Sequence, residues 1–114
     1  MKHPNDDNGD ALRRLEADGD DLSLARDIDF TVVFPDQFRA EEFAAHFRSA
    51  GYKSTVRNAQ VKETHPWDVL VVKRMVPSHS GISEFEAELQ EVADTLGGHN
   101  DGWGCFAETG GTLQ

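Results

Sequence analysis

Residues 28–34 and 67–75 constrain the fold more tightly than any other part of the chain. In the first segment Ile28, Phe30, Val32 and Phe34 alternate with Asp29, Thr31 and Val33. That period of two predicts a strand with one strongly apolar face, and Pro35 stops it. The second segment, from Trp67 to Met75, is rich in β-branched residues and apolar on both faces, the pattern of a central strand. Between them, Asp36 is placed to cap a helix carrying Phe38, Phe43, Ala44 and Phe47 towards one side and ending at Gly51. Residues 52–57 then alternate as an exposed or edge strand.

A third helix follows Pro77-Ser78-His79-Ser80-Gly81. Its Ile82, Phe85, Leu89, Val92, Ala93 and Leu96 form one stripe, with Glu84, Glu88, Glu91 and Asp94 mostly off it. Ser83 with Glu86 reads as its capping box, and Gly97-Gly98 ends it. After a turn at His99-Asn100-Asp101-Gly102, residues 103–108 form the last expected strand. A short helix over 10–18, with Leu12 and Leu15, precedes all of this; Asp7 or Asn8 is its N-cap and Gly19 its C-cap. The order is a helix, then β-α-β-β-α-β. That split arrangement packs helices on one face of a four-stranded antiparallel sheet, an α+β ferredoxin-like sandwich with an extra N-terminal helix. Its first and third strands are central, which agrees with their being the most apolar. At 114 residues the chain fits one domain, 1–114, with 1–4 and 109–114 expected to fray.

Charge narrows the function. The net charge is −10, yet residues 1–29 hold nine acids and four bases, 30–74 hold five acids and seven bases, and 75–114 hold seven acids with no Lys or Arg. Such a chain is repelled by the phosphate backbone, so direct nucleic-acid binding is not expected despite Lys53, Arg57, Lys62, Lys73 and Arg74. The third strand also lacks the basic-Gly-aromatic pattern of an RNA-recognition domain. A basic protein partner suits the field better; acidity kept for solubility is the competing explanation. The apolar runs are too short to cross a bilayer, and the N-terminus has no signal-peptide stretch. A cytoplasmic protein is expected.

Reactive chemistry finds little support. Aligned as a calcium loop on Gly9, Asn5-Asp6-Asp7-Asn8-Gly9-Asp10 puts Pro4 and Leu15 at ligand positions, and both fail. The five histidines (His3, His46, His65, His79 and His99) show no zinc spacing, and the single Cys105 excludes an internal disulfide. Cys105 could pair with His99 as a nucleophile, but nothing nearby in sequence lowers its pKa, and a buried structural thiol is the simpler reading. No cofactor or metal is expected. Trp67 and Trp103 each stand at the start of an expected strand, either packing at the core edge or anchoring an interface.

Asn5-Asp6-Asp7-Asn8-Gly9-Asp10-Ala11-Leu12, Asp20-Asp21-Leu22 with Arg26-Asp27-Ile28-Asp29-Phe30, Val33-Phe34-Pro35, and Asp101-Gly102-Trp103-Gly104-Cys105-Phe106 stand in an order and spacing that resembles the RraB family, regulator of ribonuclease E activity B. The similarity runs from Asn5 to about Ala107. It implies a ferredoxin-like fold and a non-catalytic protein that binds ribonuclease E, whose scaffold region is rich in arginine, and inhibits its cleavage of transcripts. Family members often continue into an acidic C-terminal extension, whereas this sequence stops at Gln114. Contact residues expected from charge and exposure are Asp6, Asp7, Asp10, Glu84, Glu88, Glu91, Asp101 and Trp103. A second reading is a small-molecule-binding regulatory domain, because ferredoxin-like folds often bind ligands at a seam between copies.

Overall fold

The computed structural model describes residues 7–17, 23–59 and 63–104. Along the chain run α1 (Asp7–Ala17), β1 (Arg26–Phe34), α2 (Gln37–Ser49), β2 (Lys53–Asn58), β3 (Trp67–Met75), α3 (His79–Asp94) and β4 (His99–Gly104). The strands form one antiparallel sheet in the order β2-β3-β1-β4, so the two most apolar strands lie at its centre as their composition requires.

Alternation along the strands decides which face is covered. Ile28, Phe30, Val32 and Phe34 of β1 and Val69 and Val71 of β3 point to the helices and are fully buried. Against them pack Ala40, Phe43, Ala44 and Phe47 of α2, Ile82, Phe85, Leu89 and Ala93 of α3, and Leu12 of α1. The aromatic rings run through this core as a chain. Phe34 lies 4.8 Å from Phe43, Phe43 lies 4.9 Å from Phe47, and Phe30 meets Phe85 edge-on at 4.8 Å between centroids. Each fully buried phenyl side chain is worth roughly 1.5–3 kcal/mol of transfer free energy.

Local chemistry sets the helix ends. The Asp36 carboxylate accepts from the Arg39 N–H at 2.9 Å and starts α2, as expected. At its other end the Tyr52 N–H donates to the Phe47 carbonyl at 3.0 Å, turning the chain into β2. For α3 the cap is Ser78, whose Oγ accepts from the Gly81 N–H at 3.1 Å, and not Ser83, which lies a turn inside the helix. The Pro77–Gly81 stretch therefore contains the helix start where a break was expected.

Phe38 also departs from expectation. It is 77% exposed, on the side of α2 away from Phe43 and Phe47. It stands five positions before Phe43, and at about 100° per residue this turns it to the solvent side.

The last strand begins earlier than its composition suggests. His99-Asn100-Asp101-Gly102 lies within β4, not in a turn before it; residues 105–108 of the expected strand lie outside the described residues. Two glycines explain the shift. A Cβ on Gly98 would overlap the Phe34 ring and come within 2.7 Å of the Val33 carbonyl, so only glycine lets the chain enter the sheet this close to β1. Gly102, at φ +108°, sits in a bulge: Val32 pairs with Asn100 and Phe30 with Trp103, leaving one extra residue on β4. The Asn-Asp-Gly signal marks that bulge.

These assignments separate two phenylalanines of the same helix. Phe47→Ala is expected to lower unfolding stability by about 3–5 kcal/mol, and Phe38→Ala to change it by less than about 0.5 kcal/mol. Urea unfolding followed by circular dichroism measures both, and similar losses at the two positions would contradict the burial pattern.

Candidate functional site

A polar network holds α1 against α3 and β4. The Asn8 side chain is its hub. Its Nδ2 donates to Ser83 Oγ at 3.0 Å and to Glu86 Oε1 at 2.9 Å, while its Oδ1 accepts from the Trp103 indole N–H at 2.9 Å. The bulge supplies the geometry, because it brings Trp103 opposite Phe30 on the helix-facing side of the sheet. From β4, the Asn100 Nδ2 donates to the Glu86 carbonyl at 2.8 Å, and its backbone N–H to Gln90 Oε1 at 2.9 Å. Gln90 Nε2 in turn donates to Asp94 Oδ1 at 2.7 Å and to the Gly98 carbonyl at 3.1 Å.

Where the three elements meet, they leave an open cleft of about 620 Å³ lined by Asn8, Ala11, Glu86, Asn100, Asp101, Gly102 and Trp103. Its wall includes two carboxylates and an indole, and among the described residues that line it none is basic. Asn100 Oδ1 is buried with no hydrogen-bond partner among the described residues.

The contact residues expected from the sequence fall into separate groups. Asp101 and Trp103 line the cleft. Glu84, Glu88 and Glu91 are exposed on the outer side of α3, a quarter turn or more around the helix from Glu86. Asp10 is exposed on α1 and ion-paired with Arg13. Asp7 begins α1, and Asp6 lies outside the described residues. Asn8, Glu86, Gln90 and Asn100 were not among the contact residues expected from the sequence. Asn8 was read as an N-cap candidate and Glu86 as half of a capping box, whereas both serve tertiary contacts across 78 positions.

The sheet face opposite the helices has a different electrostatic character. Arg57 grips Asp68 through two bonds of 2.9 Å, and Arg74 lies 3.6 Å from Asp27. The hydrogen bonds that Arg57 donates to the Asp68 carboxylate raise its pKa above its ordinary value, opposed by partial burial and assisted by the charges of Asp68 and Asp29. A raised pKa on a base contributes stability that is complete below the ordinary arginine value and is lost only above it, so this pair holds throughout the neutral range. Lys73 projects to the helix side, its Nζ 4.8 Å from the Phe85 ring centroid and 3.3 Å from the Tyr52 hydroxyl. Lys62 lies outside the described residues.

Three of the described histidines stand in two separate places. The His65 and His99 rings meet at 4.7 Å, with His65 Nε2 3.1 Å from the Gly97 carbonyl, and His46 packs edge-on against Phe47. Cys105, paired in one reading with His99, lies outside the described residues. Among the described residues no group of His, Cys, Asp or Glu is arranged to hold a metal ion, and no helix is long and apolar enough to cross a membrane.

The hub predicts an asymmetry between neighbours on α1. Asn8→Ala leaves the Trp103 N–H without its acceptor and is expected to cost about 1–3 kcal/mol, whereas Asp10→Asn should cost less than about 0.5 kcal/mol. Chemical unfolding of both variants checks this, together with the shift of the Trp103 indole N–H resonance that Asn8→Ala alone should cause.

No curated protein matches the chain. The model of one family, described as regulator of ribonuclease activity B, matches residues 5–105, a span that includes α1, the whole sheet and the cleft. By that match the chain belongs to the RraB family, non-catalytic regulatory proteins, and its membership implies regulation of ribonuclease E activity.

Proposed function

We propose that this protein binds a ribonuclease E-type endoribonuclease directly and inhibits it, using acidic surface on α3, α1 and β4 and making no contact with RNA. The observation that carries the reading is the outer stripe of α3. Glu84, Glu88 and Glu91 recur at i, i+4 and i+7, all exposed, on a helix whose last turn holds no basic residue. Nothing in the sequence after Arg74 is Lys or Arg, so no cation from the C-terminal part of the chain offsets this field. Asp101 on β4 and Asp10 on α1 are also exposed, the latter ion-paired with Arg13.

A surface of this sign attracts a basic segment of a protein and repels an RNA strand. Of the five bases that might have favoured RNA, Arg57 and Arg74 are held in ion pairs on the open sheet face and Lys73 lies over aromatic rings on the helix side, while Lys53 is exposed on β2. Inhibition then follows from occupying the nuclease or its scaffold and not from competing for transcript ends.

Glu84→Lys/Glu88→Lys/Glu91→Lys is expected to weaken association with ribonuclease E by roughly tenfold or more, mainly by slowing the on-rate, with unfolding stability nearly unchanged. The wild-type complex should itself weaken as salt rises past the range where the screening length falls below about 10 Å. Surface plasmon resonance against the purified nuclease, paired with a transcript-cleavage assay, reads both effects. Absence of binding at low salt would refute the proposal, and binding that the triple reversal leaves intact would refute the role of α3.

A further inference from the structure

We propose that the open face of the sheet is a self-association surface, on which a second copy of this chain packs its own β1, β2 and β3 about a two-fold axis running along β3, midway between the two sheets. The contact lies on the side of the sheet away from α3 and its glutamates, so it does not rest on the nuclease-binding reading.

The charge of this face is unlike that of the whole molecule. Across β1, β2 and β3 it presents Asp27, Asp29 and Asp68 with Lys53, Arg57 and Arg74, three acids against three bases on a chain of net charge −10. Such a chain repels its own copies, and a patch without surplus charge is where that repulsion is least. At the centre stand Leu70 and Val72, half-buried, with Thr31 and Thr55 on either side of Leu70. Neither Leu70 nor Val72 belongs to the core that the helices cover.

The order of residues across the strands fixes the symmetry. Asp29, Val72 and Lys53 lie side by side in one row of this face, and Thr31, Leu70 and Thr55 in the next. Arg57 and Arg74 already hold Asp68 and Asp27 within the chain. Asp29 and Lys53 instead stand exposed on opposite flanks of Val72, and neither forms an ion pair with another described residue. A two-fold axis along β3 exchanges the flanks. Each Lys53 then comes over the Asp29 of the other copy, while Leu70 and Val72 meet their own counterparts between these two ion pairs. An isologous dimer requires this kind of self-complementary pattern, and sheets packed face to face keep their strands nearly aligned. The patch is three strands wide and about five residues long, roughly 15 by 17 Å. That extent suits a dimer that forms and separates with concentration, not a permanent one.

Sedimentation velocity of the full chain, at concentrations rising to about 1 mM, tests this. The wild type should pass from monomer to dimer. Asp29→Lys and Lys53→Glu each set like charges opposite one another twice, so each variant alone should self-associate roughly tenfold more weakly. An equimolar mixture of the two should recover association, because in the mixed dimer both contacts again join opposite charges. Both positions are exposed, so the unfolding midpoints should stay nearly unchanged, and the mixture separates loss of the contact from loss of the fold. A chain that stays monomeric, whether or not single-stranded oligouridine binds in the second copy's place, would overturn the proposal. So would association that neither substitution weakens, as pairing through an edge strand would give, or a mixture of the variants that associates no better than either alone. None of these outcomes bears on the binding of ribonuclease E through α3.

Discussion

Everything in the molecule is placed by the buried row Ile28-Phe30-Val32-Phe34. β1 is central in the sheet, and this row meets both main helices through a continuous set of aromatic contacts: Phe34 with Phe43 of α2, and Phe30 with Phe85 of α3. Interiors are packed closely enough that a ring in such a row fixes its neighbours' positions. The opposite faces of the same residues' strand neighbours, Asp27, Asp29 and Thr31, are left outward, so one alternation divides the protein into a helix-covered side and an open side.

The site inherits its geometry from that row. Because Phe30 is fixed, the residue opposite it on β4 is fixed, and the single-residue bulge at Asp101-Gly102 makes that residue Trp103. Without the bulge the indole would fall on the other face of the sheet, far from Asn8. Asn8 then converts an edge strand and a helix with few core residues of its own into one wall, and that wall meets α3 along a side distinct from both its buried stripe and its outer glutamates. The third helix thus serves three surfaces at once: Phe85 and Leu89 inward, Glu86 and Gln90 sideways, and Glu84, Glu88 and Glu91 outward.

Features governed by nearby residues were legible in the sequence. The alternation of β1, the two-sided apolarity of β3, the Asp36 cap and the stripe of α3 each follow from neighbours within a few positions, and together they gave the topology and its central strands. Where reading failed, a local signal had more than one physical use. Asn100-Asp101-Gly102 suits a turn or a bulge, and only the packing of Gly98 against Phe34 decides between them. Ser83 and Glu86 have cap spacing but were claimed by Asn8, 75 and 78 positions away. The aromatic character of Phe38 suggested burial, although its angular position on the helix already opposed it. Of the candidate contact residues, exposure of the α3 glutamates could be read from periodicity; the meeting of Asp101 and Trp103 with Glu86 could not, since no spacing in one sequence encodes it.

The bond between Asn8 and Trp103 joins positions 95 apart. Contacts of such separation form late, after shorter loops have closed. During synthesis on the ribosome the first helix is made long before its anchoring strand, and it must wait, undocked, until almost the whole domain has emerged. The wall that it completes therefore closes only after residue 103 has been made, so the surface between α1, α3 and β4 is among the last of the described surface to form.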